Sequence, residues 1–229
     1  MKVLLSTSSL NFQSRNNPLK PFIIKTRLGD LACSEIPSKD LCQSQKLYEL
    51  SHFFCKNFAS LTEDPYWLKY NNPNYKNIFA SSFFNYLNNK IANDDGNLTM
   101  IVAKNKKGKV QAACLSYTYD LLPEGYNTVC YVDSLAVNDE YRRNGIAKTL
   151  LDKTEEINKN IFTDIFLTGE VLARKFYEKI GYSKLDEKDP AQRFYINYLN
   201  NERGAEMKYL IPFNKPLQKD KPRWFSIFG

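Results

Sequence analysis

Histidine occurs once in 229 residues, at position 52. A Ser/His/Asp triad anchored elsewhere in the chain, or a zinc site built from several histidines, is thereby nearly excluded. The five cysteines (Cys33, Cys42, Cys55, Cys114 and Cys130) are odd in number and contain no CxxC pair. That pattern argues against a disulfide framework and a thiolate metal centre, and for reduced, buried thiols in a cytoplasmic protein. No apolar run approaches the length needed to span a bilayer, and Val3–Leu5 is too short for a signal-peptide core. Neither membrane insertion nor export is expected. The glycines form neither GxGxxG nor GxxxxGK[ST], which removes the dinucleotide fingerprint and the P-loop.

Acid is missing from the first 29 residues, which carry Lys2, Arg15, Lys20, Lys25 and Arg27. The last eighteen hold four cations against Asp220, so of the formal +7 only about −1 is left for residues 30–211. The basic balance belongs to the ends, which weakens a nucleic-acid reading of the domain. Residues 1–20 read as a flexible tail, 21–212 as one domain, and 213–229 as a basic, aromatic tail. A docking role for those ends, on nucleic acid or an anionic membrane, would show as steep salt dependence.

Within the domain, Pro21–Thr26 reads as a short edge strand. Leu47, Leu50, Phe54 and Phe58 recur at helical spacing over 44–58, as do Phe79, Phe83, Leu87 and Ile91 over 77–91. The segment between them mixes Pro65, Tyr66, Trp67, Tyr70 and Pro73, which is turn chemistry loaded with aromatics, either a lid or core packing. Strands follow at 98–104, 110–119 and 128–137, in antiparallel series. The period then changes: helix 145–158, strand 161–168 and helix 171–180 imply a parallel crossover, with Gly181 as C-cap. A strand at 182–185, a helical or irregular insertion at 191–200 and a last strand at 206–211 complete the pattern. The class is α+β, three layers, with a mixed, mostly antiparallel sheet of about six to seven strands flanked by helices.

Arg142-Arg143-Asn144-Gly145-Ile146-Ala147 falls between a strand and a helix N-terminus. Unpaired backbone N–H groups gather there, small residues let an anion approach, and Arg142, Arg143 and Lys148 add positive charge. The loop resembles the R/Q-x-x-G-x-G/A motif of the GNAT N-acetyltransferase superfamily, which holds the coenzyme A pyrophosphate. Leu135-Ala136-Val137 resembles the strand signature that precedes this loop in that family. Ala173-Arg174-Lys175-Phe176-Tyr177-Glu178-Lys179-Ile180-Gly181-Tyr182 resembles the family's second motif, A-R-x-F-Y-E-K-x-G-F.

The resemblance implies a GNAT-like fold with acetyl-CoA as co-substrate and no metal. Its coenzyme contacts would be Leu135, Ala136, Val137, Arg142, Arg143, Asn144, Gly145, Ile146, Ala147 and Lys148, with the strand backbone pairing to the pantetheine arm. Tyr177 matches the tyrosine that protonates the departing thiolate, and a phenol stays protonated at neutral pH. Asp133 stands where relatives often carry a glutamate that deprotonates the amine, and its shorter side chain would work through a water. Glu170 departs from the pattern, since relatives often have a coenzyme-binding Asn there. The acceptor is an amine of a small molecule, amino acid or peptide; no nucleic-acid or membrane partner is expected, and a homodimer is one possible assembly. The alternative is a GNAT-like module that holds acyl-CoA without turnover.

Overall fold

The computed structural model describes residues 19–41, 44–93, 98–120, 128–203 and 208–217. Readings that concern residues 1–18, 42–43, 94–97, 121–127, 204–207 and 218–229, including Cys42 and the first two residues of the expected strand 206–211, lie outside these.

A single sheet organises the described chain. Its strands are β1 (Phe22–Ile24), β2 (Leu31–Ile36), β3 (Thr99–Lys104), β4 (Val110–Asp120), β5 (Thr128–Val137), β6 (Asp164–Glu170), β7 (Ser183–Lys184) and β8 (Leu210–Pro216). They lie in the order β1-β2-β3-β4-β5-β6-β8-β7. All neighbours are antiparallel except β5 and β6, which the crossover forces to be parallel. Eight strands exceed the expected six to seven because β2 had no counterpart in the reading. Only Leu31 and Cys33 of its Leu-Ala-Cys-Ser-Glu-Ile run are buried, so its apolar signal is short.

Helices α1 (Ser38–Leu41), α2 (Ser44–Ala59), α3 (Pro65–Leu68) and α4 (Pro73–Ala92) fill the connection from β2 to β3. On one face of the sheet, Leu47, Leu50 and Phe54 of α2 and Leu87 and Ile91 of α4 pack over Met100, Val102, Leu115 and Ala136. Each such side chain stabilises by about 1.5–3 kcal/mol when fully buried. α4 begins four residues before its expected start, because Asn72 caps it (Oδ1 to the Asn74 N–H, 3.0 Å) and Pro73 is preset for the first turn. The aromatic segment between α2 and α4 packs its rings on those helices: Tyr70 is buried, Trp67 meets Phe58 at 5.2 Å between ring centroids, and the exposed Tyr66 meets Phe79 at 4.8 Å.

On the other face, α5 (Ile146–Asn158) buries Ile146, Leu150 and Leu151 against Ile101, Ala112, Cys114 and Val132. α6 (Arg174–Lys179) follows β6 through a 3-10 turn, Val171–Ala173, so the expected helix 171–180 is two pieces. Lys215 on β8 bonds the Glu155 carboxylate (2.7 Å) and the Ile180 carbonyl (3.1 Å), tying α5 and the end of α6 to the sheet. The insertion at 191–200 is helix α7 (Pro190–Arg203), whose Tyr195 and Ile196 cover Val129, Tyr131 and Phe166.

The last strand runs over Leu210–Pro216 instead of 206–211. Pro212 reads as a breaker, yet its carbonyl accepts from Leu185 just past the end of β7. Its missing N–H points to that same side, just past the last β7 pair (Lys184↔Phe213) and away from β6, so the long β6–β8 ladder is intact. Cys33, Cys55, Cys114 and Cys130 are free and buried, and burial pushes the Cys55 thiol up to about 12. His52 bonds Tyr70 at 3.1 Å and is a packing residue.

Candidate active site

The parallel strands β5 and β6 pair only at Cys130↔Ile165, Tyr131↔Phe166 and Val132↔Leu167. Beyond that point β5 stays with β4 as far as Val137, and β6 stays with β8 as far as Glu170. Past Val132 and Leu167 the two strands part, and a cleft of about 200 Å³ lies between them. Val132, Asp133 and Leu135 form one wall and Leu167, Thr168, Gly169 and Glu170 the other. Phe58, Leu61, Asp64 and Trp67 close it from the α2–α3 side, and Ala173 and Tyr177 from below.

Asp133 sits at a β-bulge. Leu115 pairs with Ser134 and Ser116 with Val132, which leaves Asp133 as the extra residue on β5. A bulge re-aims the side chain it carries. Here the carboxylate meets three hydroxyls: Tyr86 of α4 and Tyr117 of β4 (3.2 Å) donate to Oδ1, and Ser134 donates to Oδ2 at 2.7 Å. Desolvation first, then the Asp133 charge, pushes both phenols far above their ordinary range, so they act only as donors. The Lys90 ammonium lies 4.5 Å from the Tyr117 ring centroid.

Leu135, Ala136 and Val137 follow on the stretch of β5 that β6 has left. Leu135 lines the cleft, while Ala136 is buried against the helices of the opposite face. Past them the chain makes a 3-10 turn, Asp139–Tyr141, and then the loop 142–145. Arg143 and Gly145 adopt φ of 62° and 74°. Gly145 caps α5 in the left-handed conformation without a side-chain bond, so the N–H groups of the first helical turn have no side-chain cap. A Cβ at Gly145 would meet nothing within 4 Å, so the space over that N-terminus is open. Asn144 holds the turn by donating to the carbonyls of Tyr141 and Arg142, both at 3.0 Å.

The loop's cations divide into two kinds. Arg142 turns inward, bonding Asp139 (2.5 Å), the Ser60 hydroxyl (2.7 Å) and the Val137 carbonyl (3.0 Å), and so clamps the loop to the end of α2. Arg143 is exposed, and Lys148 is exposed with an i,i+4 pair to Asp152 at 2.5 Å. Ile146 is buried under α5, and Ala147 packs against the same core.

Tyr177 is buried with its ring 5.2 Å from Phe213 and 5.1 Å from Phe176, centroid to centroid. It reaches the cleft because Gly169 leaves room: a Cβ there would stand 2.3 Å from the Tyr177 Cε2 atom. Burial pushes its phenol well above the ordinary value, which keeps it protonated. Glu170, at the end of β6, is half-buried, and its carboxyl is pushed up to about 7. Burial is the first cause; the charges of Asp64 and Glu63 add to it, and a hydrogen bond with Thr62 opposes it.

The structure therefore brings Asp133, Leu135 and Tyr177 to one cleft and places the 142–148 loop at the end of β5. Sequence reasoning left Glu170 between a helix cap and a substrate-facing group, and did not find Tyr86 or Tyr117; Glu170 makes no side-chain cap bond and lines the cleft. The two tyrosines reach Asp133 from another helix and strand, and no linear spacing announces that.

A model of the acetyltransferase (GNAT) domain family matches residues 96–184. Over 107 residues, 40% of this chain, the sequence is 30% identical to the catalytic subunit of the N-terminal acetyltransferase B complex of Arabidopsis thaliana. The match spans 58% of that relative's length. The crystal structure of PH1933 from Pyrococcus horikoshii OT3 superposes with a TM-score of 0.55 at 15% identity, covering 81% of this chain and 99% of that one. The PaiA N-acetyltransferase of Thermoplasma acidophilum, solved with coenzyme A, gives 0.48 at 14% identity over 86% and 99% of the two chains. The splayed parallel strands, the bulged β5, the open helix N-terminus behind a left-handed glycine and Tyr177 all fall within residues 96–184, the segment that matches the acetyltransferase (GNAT) domain family.

Proposed function

We propose that this chain transfers the acetyl group of acetyl-CoA to a primary amine of a small molecule, amino acid or peptide by direct attack on the thioester. The observation that carries the reading is the divergence of β5 from β6 after Val132, which opens a cleft beside the anion-accepting N-terminus of α5. In this reading the exposed edge of Leu135, Ala136 and Val137 receives the pantetheine arm. The pyrophosphate lies on the N–H groups around Gly145, Ile146, Ala147 and Lys148, within reach of Arg143 and beside Asn144. Arg142 serves by holding the loop's shape.

The chemistry asks for a deprotonated amine, a held thioester and a proton for the leaving sulfur. Tyr177 supplies the proton from a phenol that burial keeps neutral. A cleft carboxylate receives the ammonium proton, and Asp133 on β5 and Glu170 on β6 are the candidates on its two facing walls. The relative whose name identifies it as an N-terminal acetyltransferase catalytic subunit supports nitrogen as the acceptor atom. Acetyl-CoA is the co-substrate. Among the described residues no three His, Cys, Asp or Glu side chains gather as a metal site, and no helix is long and apolar enough to cross a membrane. We place the activity in the cytoplasm, with a homodimer as one assembly open to the chain.

Release of free coenzyme thiol from acetyl-CoA across a panel of amines, amino acids and peptides tests this. Acceptor-dependent release is expected. Saturable acetyl-CoA binding with no release for any member would favour the alternative, a module that holds acyl-CoA without turnover.

A further inference from the structure

Four titratable side chains line the cleft: Asp64, Asp133, Glu170 and Tyr177. They differ in how much of their bonding capacity is already used. Asp64 is committed to the helix it begins, with Oδ1 accepting from the Tyr66 N–H at 2.8 Å. The oxygens of Asp133 receive three hydroxyl protons, from Tyr86, Tyr117 and Ser134. Three donors already occupy most of the lone-pair positions of that carboxylate, so its bonding capacity is taken up within the cleft wall. Tyr177 is buried and protonated, so it can give a proton but not take one.

Glu170 is built differently. It is the final residue of β6, on the wall facing Asp133, and its carboxylate is half-buried in the same cleft as the Tyr177 phenol. Its carboxyl has a hydrogen bond with Thr62, whose oxygen also accepts from the Asp64 N–H at 2.9 Å. The groups acting on it from the packed elements are Thr62, Glu63 and Asp64 between α2 and α3, with Tyr177 on α6 coupled to its charge. Two like charges and a partly dry setting favour its protonated form, as a general base working near neutral pH requires.

We infer that Glu170 takes the proton of the acceptor ammonium, and that Asp133 is a positioning anion that holds Tyr86 and Tyr117 on the cleft wall. The inference rests on the acetyl-transfer reading. Glu170 receives one proton from R–NH3+, leaving R–NH2. The nitrogen lone pair forms the C–N bond at the thioester carbonyl, and the C–S bond breaks with its pair going to sulfur. Sulfur takes the Tyr177 proton to leave as the thiol, the second N–H proton restores the phenol, and Glu170 releases its proton to solvent. Bonds and charges balance without another reagent.

The test is the pH dependence of kcat/KM for acetyl-CoA with a pooled set of free amines and short peptides, in wild type, Glu170→Gln and Asp133→Asn. A rising limb near neutral pH is expected in wild type and in Asp133→Asn. Loss of that limb and a fall of at least about tenfold are expected in Glu170→Gln, with acetyl-CoA affinity unchanged. A limb that survives in Glu170→Gln, or disappears only in Asp133→Asn, overturns the assignment. A second measurement needs no turnover: carboxyl carbon NMR titration of the labelled protein, with the resonance identified by its absence in Glu170→Gln. Titration near neutrality supports the assignment, and titration in the usual carboxylate range overturns it. Failure of the whole pool to be acetylated would count against the transferase reading instead, while this titration still decides the state of Glu170.

Discussion

The Tyr177 ring lies directly over Gly169, so close that a Cβ on residue 169 would stand 2.3 Å from Cε2 and 2.8 Å from Cδ2. Strand β6 and helix α6 can approach this far only because residue 169 has no side chain. Gly169→Ala must displace the ring from between Gly169 and Phe213, where the centroid distance is 5.2 Å. We expect a loss of about 1–3 kcal/mol in stability, as for other overpacked sites. Turnover should fall by more than global unfolding explains, as judged by urea denaturation alongside steady-state rates under folded conditions.

Tyr177→Phe keeps the ring and removes only the hydroxyl. Its packing against Phe176 and Phe213 should persist, so the thermal midpoint and acetyl-CoA affinity should hold within about twofold while kcat falls about 100-fold. Because burial raises the wild-type phenol, no loss of activity from its ionisation should appear up to about pH 10. A parallel loss of affinity and rate would assign Tyr177 to packing.

Gly145 stands at φ 74° with open space beyond it. Gly145→Val forces a β-branched residue into the left-handed region and puts a side chain where an anion would approach the N-terminus of α5. Acetyl-CoA affinity measured by calorimetry should weaken more than tenfold, a loss above about 1.4 kcal/mol.

Much of this site could be read before any coordinates. Thr128–Val137 is legible to the residue, and α5 to within one, because a run rich in β-branched and apolar residues and a 3.6-residue repeat carry their own period. The phosphate loop was visible because one glycine between a strand and a helix concentrates the needed donors. β2 was hidden since only two of its residues face the core, and β8 because Pro212 masks a strand whose missing donor points away from its long partner β6. The inward turn of Arg142 was invisible too: Ser60, one of its partners, is 82 residues away. The two tyrosine bonds to Asp133 and the Thr62 contact of Glu170 span 16 to 108 positions, and no window of sequence contains them.

Glu170 also predicts a pH dependence of stability. Its carboxyl moves from 4.5 to about 7 on folding, chiefly by burial, so the folded state binds that proton more tightly than the unfolded chain. This group therefore leaves stability unaffected below about pH 4.5 and lowers it progressively as pH rises towards about 7. Glu170→Gln should raise the thermal midpoint at about pH 8 and leave it near wild type at about pH 4.5. An equal shift at both pH values would show that the carboxylate is not strained by its setting. A residue that weakens the fold while serving the reaction is a common trade at active sites.

The central claim is transfer of acetyl from acetyl-CoA to nitrogen, and product stoichiometry measures it most directly. The folded protein is incubated with acetyl-CoA and the amine and peptide panel, and mass spectrometry follows both acceptor and coenzyme. The account predicts one acetyl group on an acceptor nitrogen for each free coenzyme A released, with the protein itself unmodified. Bound coenzyme with no acetylated acceptor, or acetyl retained covalently on the protein, would contradict it.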